Sequence, residues 1–524
     1  MQHTGLVKRS RIPVLVLLTM LLLSGVSALP GSHSRDLYIQ EAPVNPAFQA
    51  MKGNLTAEPE WGITGEIRVL GYIPPPLDRS HLKGVKIPRY TARATLTAED
   101  RSLTGGSESN SGPYPSTYDL RTLERVTPVK NQGSCGSCWA FASYGSLESA
   151  LRPAELWDLS ENNLKNTHGF DLAPCSGGNA DMSAAYLARW SGPVDEAGDP
   201  YSASGALSPA GLLPRKHVQE ISYIPARASS LDNANIKGAL MEDGAVYSSL
   251  YWISSSYNSS SKSYRYSGTS SSNHAIAIVG WDDSYERSRF TPPAPGNGAF
   301  IVKNSWGSSW GSGGYFHVSY YDSRIGGDNA VFTAEDLGNY DQIYQYDPLG
   351  WTASFGFGSD TAWFGNVFTT ASDEAVTAVG FYTSQVNSSF LVSLYRNPST
   401  GPESTEGPIT TVTGTLSLPG YHTILLPEQV SLREGESFSA TVRLKTPGYR
   451  YPVPVEAPIA GYSSRATAGS GQSWVSSDGD LWRDLTTISS NRNVCLKVYS
   501  RLTEGIPLPG TLPLAPTPPR MVPL

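Results

Sequence analysis

A cysteine at a loop-to-helix junction is the group in this sequence best placed for nucleophilic chemistry. Residues 131–141 read NQGSCGSCWAF, so Cys138 follows a Gly- and Ser-containing turn and has Gln132 six residues before it. Apolar residues then recur at helical spacing as far as Leu147. A thiol at a helix N-terminus lies at the positive end of the helix dipole, which favours the nucleophilic thiolate. A buried structural cysteine in a Gly-rich turn is the alternative interpretation.

Two further motifs carry side chains that could cooperate with a thiolate. Residues 273–281 read NHAIAIVGW, which predicts His274 at the start of an apolar strand with its ring toward a cleft. Residues 299–307 read AFIVKNSWG and place Asn304 at the end of a second apolar run. An imidazole can exchange a proton with a thiol, and an amide carbonyl can orient the imidazole. A lone histidine before a strand is usually structural, so the three motifs are informative together.

Together these motifs resemble the active-site segments of papain-like cysteine peptidases. The family signature C-G-[SA]-C-[WY] matches residues 135–139 in order, and His274 follows Cys138 by 136 residues, within the family's spacing. Asn304 follows Cys138 by 166 residues, somewhat beyond that spacing. We attribute the excess to an insertion at residues 282–298, a charged and Pro-containing stretch that is expected to form an enlarged surface loop.

The resemblance implies a role for each residue of the motifs. Cys138 would attack a scissile carbonyl as a thiolate paired with the imidazolium of His274. Asn304 would hold the imidazole, and Trp306 would screen that hydrogen bond from water. The side chain of Gln132 and the backbone N–H of Cys138 would donate to the oxyanion. This chemistry requires no metal and no organic cofactor.

The resemblance also implies a wall that binds substrate. In the family a C-x-G-G segment pairs with the substrate backbone, and residues 175–178 read CSGG here. Adjacent glycines let another backbone approach closely. Asn179 and Ala180 would shape the pocket for the second residue on the acyl side of the cut. The predicted substrate-binding residues are Gly177, Gly178, Asn179, Ala180, Asn273 and Trp306.

The sequence has four cysteines, Cys135, Cys138, Cys175 and Cys495. An exported protein would by default form two disulfides. In the resembled family, however, the cysteine three before the nucleophile pairs with that of the C-x-G-G segment. The resemblance therefore implies one bridge, Cys135–Cys175, and a free Cys138. Cys495 lies in the strand-like run VCLKV and is predicted to be a buried, unpaired thiol.

Composition and the N-terminus favour an extracellular protein. The 524 residues suggest about three domains, and 16% charged residues, 10% aromatic residues, 51 Gly and 39 Pro suit much β structure. The formal net charge of -7 gives no electrostatic footprint for nucleic acid. Residues 1–28 have a basic start, an apolar core and a small-residue cleavage site, which predicts a signal peptide and a secreted or cell-surface protein. An uncleaved membrane anchor is the alternative, but the apolar run is shorter than the about 20 residues of a span.

Residues 29–112 are predicted to form a propeptide. Within them residues 72–78 read YIPPPLD, which is too rich in proline for a helix or a central strand. Residues 105–112 are rich in Gly, Ser and Asn and are expected to be flexible and cleavable. An extended segment of this kind could fill a peptide groove without presenting a scissile bond productively. A permanently attached N-terminal arm is the alternative.

Residues 113–338 are predicted to form the peptidase domain, and the character of the sequence changes after them. Residues 339–503 contain short alternating segments that are separated by turns, typical of a β-sandwich. The predicted strands cover residues 375–381, 390–395 and 438–444. This region resembles the lectin-like domain of some secreted prokaryotic papain-type peptidases, including enzymes that mature surface-layer proteins. Binding of a glycan or cell-wall polymer and simple covering of the peptidase domain both remain open as its function.

Three other stretches are predicted from composition. The Ser-rich residues 254–272 are expected to form an exposed loop beside the cleft. Residues 478–480, Asp-Gly-Asp, are expected to form a plain turn, since the spaced oxygen ligands of a calcium loop are absent. Residues 504–524 are predicted to be a Pro-rich disordered tail.

The fold predicted from the resemblance is an α+β papain-like catalytic domain with a helical lobe and a β-barrel-like lobe, followed by an all-β sandwich. The predicted function is that of a secreted cysteine endopeptidase made as a zymogen and acting on protein or peptide substrates at the cell surface. One alternative is an adhesin with a vestigial peptidase domain. Another is acyl transfer to an amine, which uses the same thioester. Neither a nucleic acid partner nor a membrane span after signal removal is expected.

Overall fold

The computed structural model describes residues 38–52, 58–61, 67–87, 114–399 and 401–503. The predicted signal peptide, the end of the predicted propeptide and the Pro-rich tail lie outside these ranges. The described α-helices are α1 (Pro46–Met51), α2 (Cys138–Leu151), α3 (Glu161–Thr167), α4 (Ala180–Ala188) and α5 (Ala234–Glu242). None of them is long and apolar enough to cross a membrane.

The described strands fall into three groups along the chain. The strands before residue 114 are β1 (Gln40–Glu41), β2 (Glu58–Trp61) and β3 (Ile67–Leu70). The next group, with α2 to α5, forms the first domain: β4 (Thr117–Asp119), β5 (His217–Ile224), β6 (Val246–Leu250), β7 (Tyr257–Asn258), β8 (Ser263–Tyr264), β9 (His274–Asp282), β10 (Ala299–Lys303), β11 (Tyr315–Ser319) and β12 (Asn329–Glu335). The last group forms the second domain: β13 (Gln342–Tyr344), β14 (Ala353–Gly356), β15 (Thr361–Thr369), β16 (Glu374–Thr383), β17 (Ser388–Arg396), β18 (Thr410–Leu416), β19 (Gly420–Leu432), β20 (Ser437–Lys445), β21 (Val453–Glu456), β22 (Ser473–Ser476), β23 (Arg483–Asp484), β24 (Asn493–Val494) and β25 (Leu496–Leu502).

Helix α2 runs through the core of the first domain. Every residue of α2 except Ala150 is buried, because the helix packs against α3 and α4 on one side and β6, β9 and β12 on the other. Small residues allow the close approach, and a Cβ at Gly145 would lie 3.4 Å from the Ala277 side chain in β9. A helix that is covered on all sides holds its first residue in a fixed place, which matters for Cys138.

The β lobe of the first domain is built around β9. This strand pairs with β6 on one side and with β10 on the other, and β4 also pairs with it. His274 is the first residue of β9, as the sequence predicts, and Asn304 directly follows β10. Because β9 and β10 are adjacent and antiparallel, these two positions come together at one end of the pair.

The second domain is a β-sandwich whose sheets enclose an apolar core. One layer has the strand order β18-β17-β20-β15-β22-β23, and β13, β25, β16 and β19 form part of another layer. The three strands predicted from alternation lie within β16, β17 and β20. A four-stranded sheet, β1-β14-β21-β24, completes the domain with a strand from the N-terminal part of the chain.

One sheet continues from the first domain into the second. Strand β5 pairs with β12 of its own domain and also with β19 of the second domain, with Tyr421 opposite Ile221 and His422 opposite Glu220. The His422 Nδ1 atom lies 2.6 Å from a carboxylate oxygen of Glu220. The sequence predicts two successive domains, and the shared sheet is an additional feature of their arrangement.

The described residues before Tyr114, here called the N-terminal segment (residues 38–52, 58–61 and 67–87), join both domains. Strand β1 pairs with β14, and Phe48 of α1 packs edge-on against Tyr462 at 5.3 Å between ring centroids. Residues 70–79 then run extended along the first domain. The extended course agrees with the prediction from the proline-rich sequence.

The structure corrects one local prediction, adds detail to a second and agrees with a third. Residues 254–272 are not wholly an exposed loop, because Tyr264 is buried and stacks on Trp252 at 4.7 Å, and β8 pairs with β11. Cys495 is buried and unpaired with another cysteine, but it separates β24 from β25 where the chain passes between sheets. Asp478 forms a turn, since its carboxylate accepts hydrogen bonds from the Asp480 and Leu481 amides at 3.0 Å.

Candidate active site

Cys138 occupies the first position of α2, and its side chain is fully buried. The amide of Ala275 donates a hydrogen bond to the Cys138 sulfur at 3.4 Å. The amide of Gly71, in the N-terminal segment, donates to the same sulfur. Since Ala275 follows His274 directly, the thiol and the histidine belong to one site although they are far apart in sequence.

The His274 ring is held by the residue that the sequence assigns to that role. The His274 Nε2 atom lies 2.9 Å from Asn304 Oδ1, and the Ser305 amide donates to the same oxygen at 2.9 Å. An amide oxygen that already accepts from a backbone N–H is an acceptor, so Nε2 carries a proton and donates it. Nδ1 is then the ring nitrogen that can exchange a proton with the thiol.

Trp306 covers the imidazole. Its ring stacks on His274 at 4.8 Å with an interplanar angle of 25°, and it is 7% exposed. Trp306 packs edge-on against Trp252 at 4.7 Å and Trp310 at 4.9 Å, so an aromatic cluster fixes its orientation. The His274–Asn304 hydrogen bond therefore lies in an environment from which water is largely excluded, where such a bond is stronger.

Gln132 lies fully buried beside the catalytic loop. Its Nε2 donates to the Cys135 carbonyl at 2.9 Å, and its Oε1 accepts from the Ser305 hydroxyl at 2.6 Å. Tyr201 donates to the Gln132 carbonyl at 2.8 Å, and its hydroxyl also lies 2.7 Å from the Ser137 hydroxyl. Ser305 and Tyr201, which orient this loop, were not among the residues predicted from the sequence. The position of Ser305 next to Asn304 could have suggested it.

A disulfide joins the nucleophile loop to the glycine loop. Cys135 and Cys175 are bonded across 40 residues with a Cα–Cα distance of 4.7 Å. The Gly136 amide also donates to the Cys175 carbonyl at 3.1 Å. The two loops are therefore held together at the position that the family resemblance implies for the bridge, and Cys138 stays a free thiol.

Gly178 pairs with the N-terminal segment in the cleft. Its amide donates to the Gly71 carbonyl at 2.9 Å, and its carbonyl accepts from the Ile73 amide at 2.9 Å. On the opposite wall the Asn273 carbonyl accepts from the Tyr72 amide at 3.1 Å. A Cβ at Gly178 would lie 2.5 Å from the Trp139 ring, so a larger residue does not fit there.

Gly177 must also be a glycine, because of its backbone conformation. Its φ is +106°, a backbone conformation that other residues rarely adopt. A Cβ there would also lie 2.9 Å from the Ile73 side chain. The Gly177–Gly178 pair thus provides a bare backbone edge, which an extended chain already occupies.

The remaining predicted substrate-binding residues have mainly structural contacts. Asn179 caps α4 by accepting from the Met182 amide at 3.0 Å, and its Nδ2 donates to the Ile73 carbonyl at 3.1 Å. Ala180 is the first residue of α4 and is 2% exposed. The Asn273 side chain bonds the backbone of Trp252, so only its carbonyl faces the cleft.

The thiol is not poised as a thiolate while the segment covers it. Burial raises the pKa of Cys138 to about 11, although the amides of Ala275 and Gly71 act in the opposite direction. The sequence-based expectation of a lowered pKa is therefore wrong for this covered form. The physical reason is desolvation, which disfavours the charged form more than the helix N-terminus stabilises it.

A buried ion pair anchors the N-terminal segment close to the cleft. The Arg79 guanidinium lies 2.5 Å from Asp181 and 3.8 Å from Asp328, and it stacks on the Tyr223 ring at 3.7 Å. The Tyr72 hydroxyl donates to Asp328 at 2.9 Å. Burial raises the pKa of Asp328, and Arg79 opposes that rise. No local motif signals this cluster, because its members are widely separated in sequence.

Two family descriptions match this sequence. Residues 114–333 match the papain family cysteine protease, and residues 343–500 match the lectin-like domain. The first match contains the Cys138, His274 and Asn304 site. The second match coincides with the β-sandwich of the second domain.

Curated proteins that resemble this chain include cysteine proteases of animals and plants. Pro-cathepsin H of Mus musculus is 33% identical over 224 residues, which are 40% of this chain and 61% of that protein. A senescence-specific cysteine protease of Arabidopsis thaliana is 27% identical over 40% of this chain and 58% of that protein. Cathepsin F of Drosophila melanogaster is 30% identical over 45% of this chain and 39% of that protein. This chain thus spans between 39% and 61% of the length of these relatives.

Solved structures share the order of the two domains. The cysteine protease and lectin-like domains of Cwp84, a surface layer associated protein of Clostridium difficile, match with a TM-score of 0.70 at 23% identity over 89% of this chain and 98% of that chain. A Cwp84 variant after propeptide cleavage matches with a TM-score of 0.64 at 27% identity over 74% of this chain and 100% of that chain. The fold is therefore a papain-like domain followed by a lectin-like β domain.

Proposed function

We propose, from the match of residues 114–333 to the papain family of cysteine proteases, that this chain is a cysteine endopeptidase made as an inactive precursor. One observation carries the proposal. The Cys138 sulfur at the start of α2 accepts a hydrogen bond from the residue next to His274, whose ring is held by Asn304. A nucleophile, a base and an orienting group thus meet from three separate segments.

The proposed reaction proceeds through a thioester. The Cys138 sulfur attacks the scissile carbonyl carbon as thiolate, and His274 Nδ1 protonates the leaving amine. Water, deprotonated by the same nitrogen, then hydrolyses the thioester and releases Cys138 as thiolate. The Cys138 amide and the Gln132 side chain donate to the oxyanion in both tetrahedral steps. Asn304 keeps Nε2–H bonded throughout, so that Nδ1 is the ring nitrogen left to exchange protons.

We propose that residues 29–112 are the propeptide and that their extended part keeps the enzyme inactive. Residues 71–73 pair with Gly178 and Asn273 and bury the thiol. An amide nitrogen, which is not electrophilic, contacts the sulfur, and the Gly71 carbonyl is bonded to Gly178 instead. The cleavage that releases this segment is proposed to fall before Tyr114, where the peptidase domain begins.

We propose further that residues 1–28 are a signal peptide and that the mature protein acts outside the cell, on proteins of the cell surface. The Cys135–Cys175 disulfide supports an oxidising compartment. The similarity to Cwp84, which is described as a surface layer associated protein, is the reason for proposing a substrate at the cell surface. Under this proposal residues 113–338 form the peptidase domain, residues 339–503 the lectin-like domain and residues 504–524 an extended tail.

Covalent labelling tests the proposed nucleophile. The full chain is purified with and without release of the N-terminal segment and is treated with an epoxide that alkylates catalytic thiols. We expect Cys138 to be labelled rapidly only after release, and casein to be hydrolysed only by the released form. A Cys138→Ala variant is expected to lack both, and to accumulate unprocessed if maturation is autocatalytic.

One result would contradict the proposed activity, and a second would contradict only autocatalytic maturation. Released protein in which Cys138 is not labelled and casein stays intact would instead support an adhesin with a vestigial peptidase domain. Efficient processing of purified Cys138→Ala protein would remove autocatalytic maturation, while the endopeptidase proposal would stand on the casein result. Product analysis with an added amine distinguishes hydrolysis from acyl transfer.

A further inference from the structure

The side chain of Tyr72 fills a subsite directly beside the nucleophile. Gly71 contacts the Cys138 sulfur, and the next residue, Tyr72, is bridged to Gly178 and bonded through its amide to Asn273. The Tyr72 hydroxyl then reaches Asp328 at 2.9 Å. This subsite, here called the Tyr72 subsite, therefore ends in a carboxylate.

A cation already lies at the end of the Tyr72 subsite. The Arg79 guanidinium bridges Asp181 at 2.5 Å and Asp328 at 3.8 Å, and the two carboxylate side chains are only 4% and 17% exposed. The aromatic rings of Tyr223 and Trp351 lie 3.7 and 5.5 Å from the guanidinium. Carboxylates and aromatic faces together form a surface that is built to hold a guanidinium or an ammonium group.

Removal of the N-terminal segment changes the charge of this subsite. Tyr72 and Arg79 belong to that segment, whereas Asp181 and Asp328 belong to the first domain and remain. Two carboxylates in a sheltered place without a cation repel each other and are poorly solvated. A substrate side chain that brings a positive charge to the same place restores the lost interaction.

The subsite also has the depth that such a side chain needs, and open space adjoins it. A cavity of about 510 Å³ lies between the N-terminal segment and the first domain and is bordered by Tyr72, Arg79, Ser249 and Asp328. An extended arginine or lysine side chain reaches about as far from the backbone as a tyrosine hydroxyl does. A residue whose backbone takes the place of Tyr72 can therefore bring its charged group to Asp328.

We propose that the mature enzyme selects a basic residue, Arg or Lys, at the substrate position next to the scissile residue on the acyl side, and that Asp328, backed by Asp181, determines this selectivity. The inference rests on the proposed peptidase function. It assigns a specificity-determining role to a pair of carboxylates that the precursor neutralises with its own Arg79.

The test compares two peptides that differ in one functional group, a charged guanidinium or a neutral urea. Fluorogenic dipeptide amides carry either arginine or citrulline at the second residue from the cleaved bond, because citrulline has the shape of arginine without its charge. With the processed full-length protein we expect kcat/KM to be at least about tenfold higher for the arginine peptide, since a charged hydrogen-bonding group in a sheltered site is lost with citrulline. A ratio close to one would overturn the proposal.

Variants then assign the effect to the carboxylate. Asp328→Asn keeps the shape of the side chain and is expected to bring the arginine-to-citrulline ratio to within about twofold of one. Asp480→Asn, an exposed carboxylate of the second domain that sits in a turn, is the matched control and is expected to keep the wild-type ratio. An unchanged ratio in Asp328→Asn would contradict the role of this residue.

Hydrolysis of casein distinguishes failure of the proposed selectivity from failure of the proposed peptidase function. Casein cleavage with equal use of both peptides, or with neither peptide cleaved, would overturn the basic subsite and leave the peptidase standing. Failure to cleave casein together with an unlabelled Cys138 would overturn the proposed function itself.

Discussion

Hydrogen bonds around Asn304 and Gln132 determine what Cys138 and His274 can do. Asn304 accepts from both the His274 ring and the Ser305 amide, which fixes the protonated nitrogen of the ring. The Ser305 hydroxyl in turn donates to Gln132, so the group that orients the histidine and the proposed oxyanion donor are coupled through one residue. Each of these side chains is buried, so their geometry is set before substrate arrives.

Replacing Gln132 with alanine tests its proposed role at the oxyanion. We expect kcat to fall by about 10²–10³, because one donor to the developing negative charge is lost. The free energy of unfolding is expected to fall by only about 1–3 kcal/mol from the broken buried hydrogen bonds. Turnover of the processed protein and its denaturant unfolding are the two measurements.

Ser305→Ala is the matched control for Gln132→Ala. It removes the hydrogen bond at 2.6 Å to Gln132 Oε1 but keeps the amide group that would donate to the oxyanion. We expect a comparable loss of stability with a much smaller loss of kcat. Equal losses of kcat in the two variants would mean that Gln132 acts as a structural residue.

At the scale of elements, the N-terminal segment pairs with the backbone of both domains. Strand β1 extends the sheet of β14, and Arg492 forms an ion pair with Glu41 at 2.7 Å. Residues 71–73 extend the wall formed by Gly178. After these two attachments along the chain, Arg79 is held by Asp181 and Asp328. The segment is therefore fastened on both sides of the cleft as well as within it.

Removal of the Arg79 side chain is expected to loosen the segment and to speed activation. The Arg79→Ala variant leaves two sheltered carboxylates without their cation, which costs on the order of 3 kcal/mol for a buried pair. We expect labelling of Cys138 in the unprocessed protein to become on the order of a hundredfold faster. Mass spectrometry of the alkylated precursor at fixed times measures this labelling rate.

Lys86→Ala provides the control from the same segment. Lys86 is paired with Asp232, whose side chain is 8% exposed, but the Lys86 side chain is itself 58% exposed, so water screens this pair and it contributes less than the buried Arg79 pair. We expect its labelling rate to stay close to that of the wild type. If Arg79→Ala labels no faster than Lys86→Ala, the buried ion pair does not hold the segment in place.

At the scale of the whole molecule, the two domains form one structure through β5 and β19. Gly420 begins β19 opposite Ser222, and its φ is +145°. A Cβ at Gly420 would lie 1.9 Å from the Ile221 carbonyl oxygen. The junction therefore depends on a position where only glycine fits, although the surrounding sequence does not mark it as a domain contact.

Substituting alanine for Gly420 is expected to weaken the junction of the domains. The added methyl group must displace a backbone carbonyl, so we expect a loss of about 2–4 kcal/mol in the free energy of unfolding. Gly338→Ala is the control, since no atom lies within 4 Å of a Cβ at that position. Calorimetry measures the unfolding of both variants. Equal stabilities would show that the β5–β19 contact contributes little.

The sequence predicts local features of this molecule better than distant contacts. The helix that starts at Cys138, the strand that starts at His274 and the strands of the sandwich all follow from short patterns of apolar residues. The family resemblance adds the Cys135–Cys175 pairing. The contact of Arg79 with Asp328 joins residues that no pattern connects, since it depends on how the finished domains pack.

The state of the thiol could not be predicted for a related reason. Helix position alone indicates a lowered pKa, but the covering segment desolvates the sulfur and raises the pKa of Cys138 to about 11. Because the covered form binds this proton more tightly than the released form, the contribution of the thiol to covering is largest below the low pKa of the released form and is lost progressively as the pH rises from there toward 11. Release of the segment is expected to restore the low pKa that the helix N-terminus and His274 favour.

The pH dependence of Cys138 alkylation before and after release of the N-terminal segment tests the central claim most directly. The covered precursor is expected to react slowly at pH 7, with a rate that rises about tenfold per pH unit toward a pKa near 11, as for a buried thiol. The released enzyme is expected to react rapidly at pH 7, with a nearly flat profile through neutral pH, because its thiolate is paired with the His274 imidazolium. Identical profiles in the two forms would contradict the account, since neither the covering segment nor the thiolate–imidazolium pair would then control the sulfur.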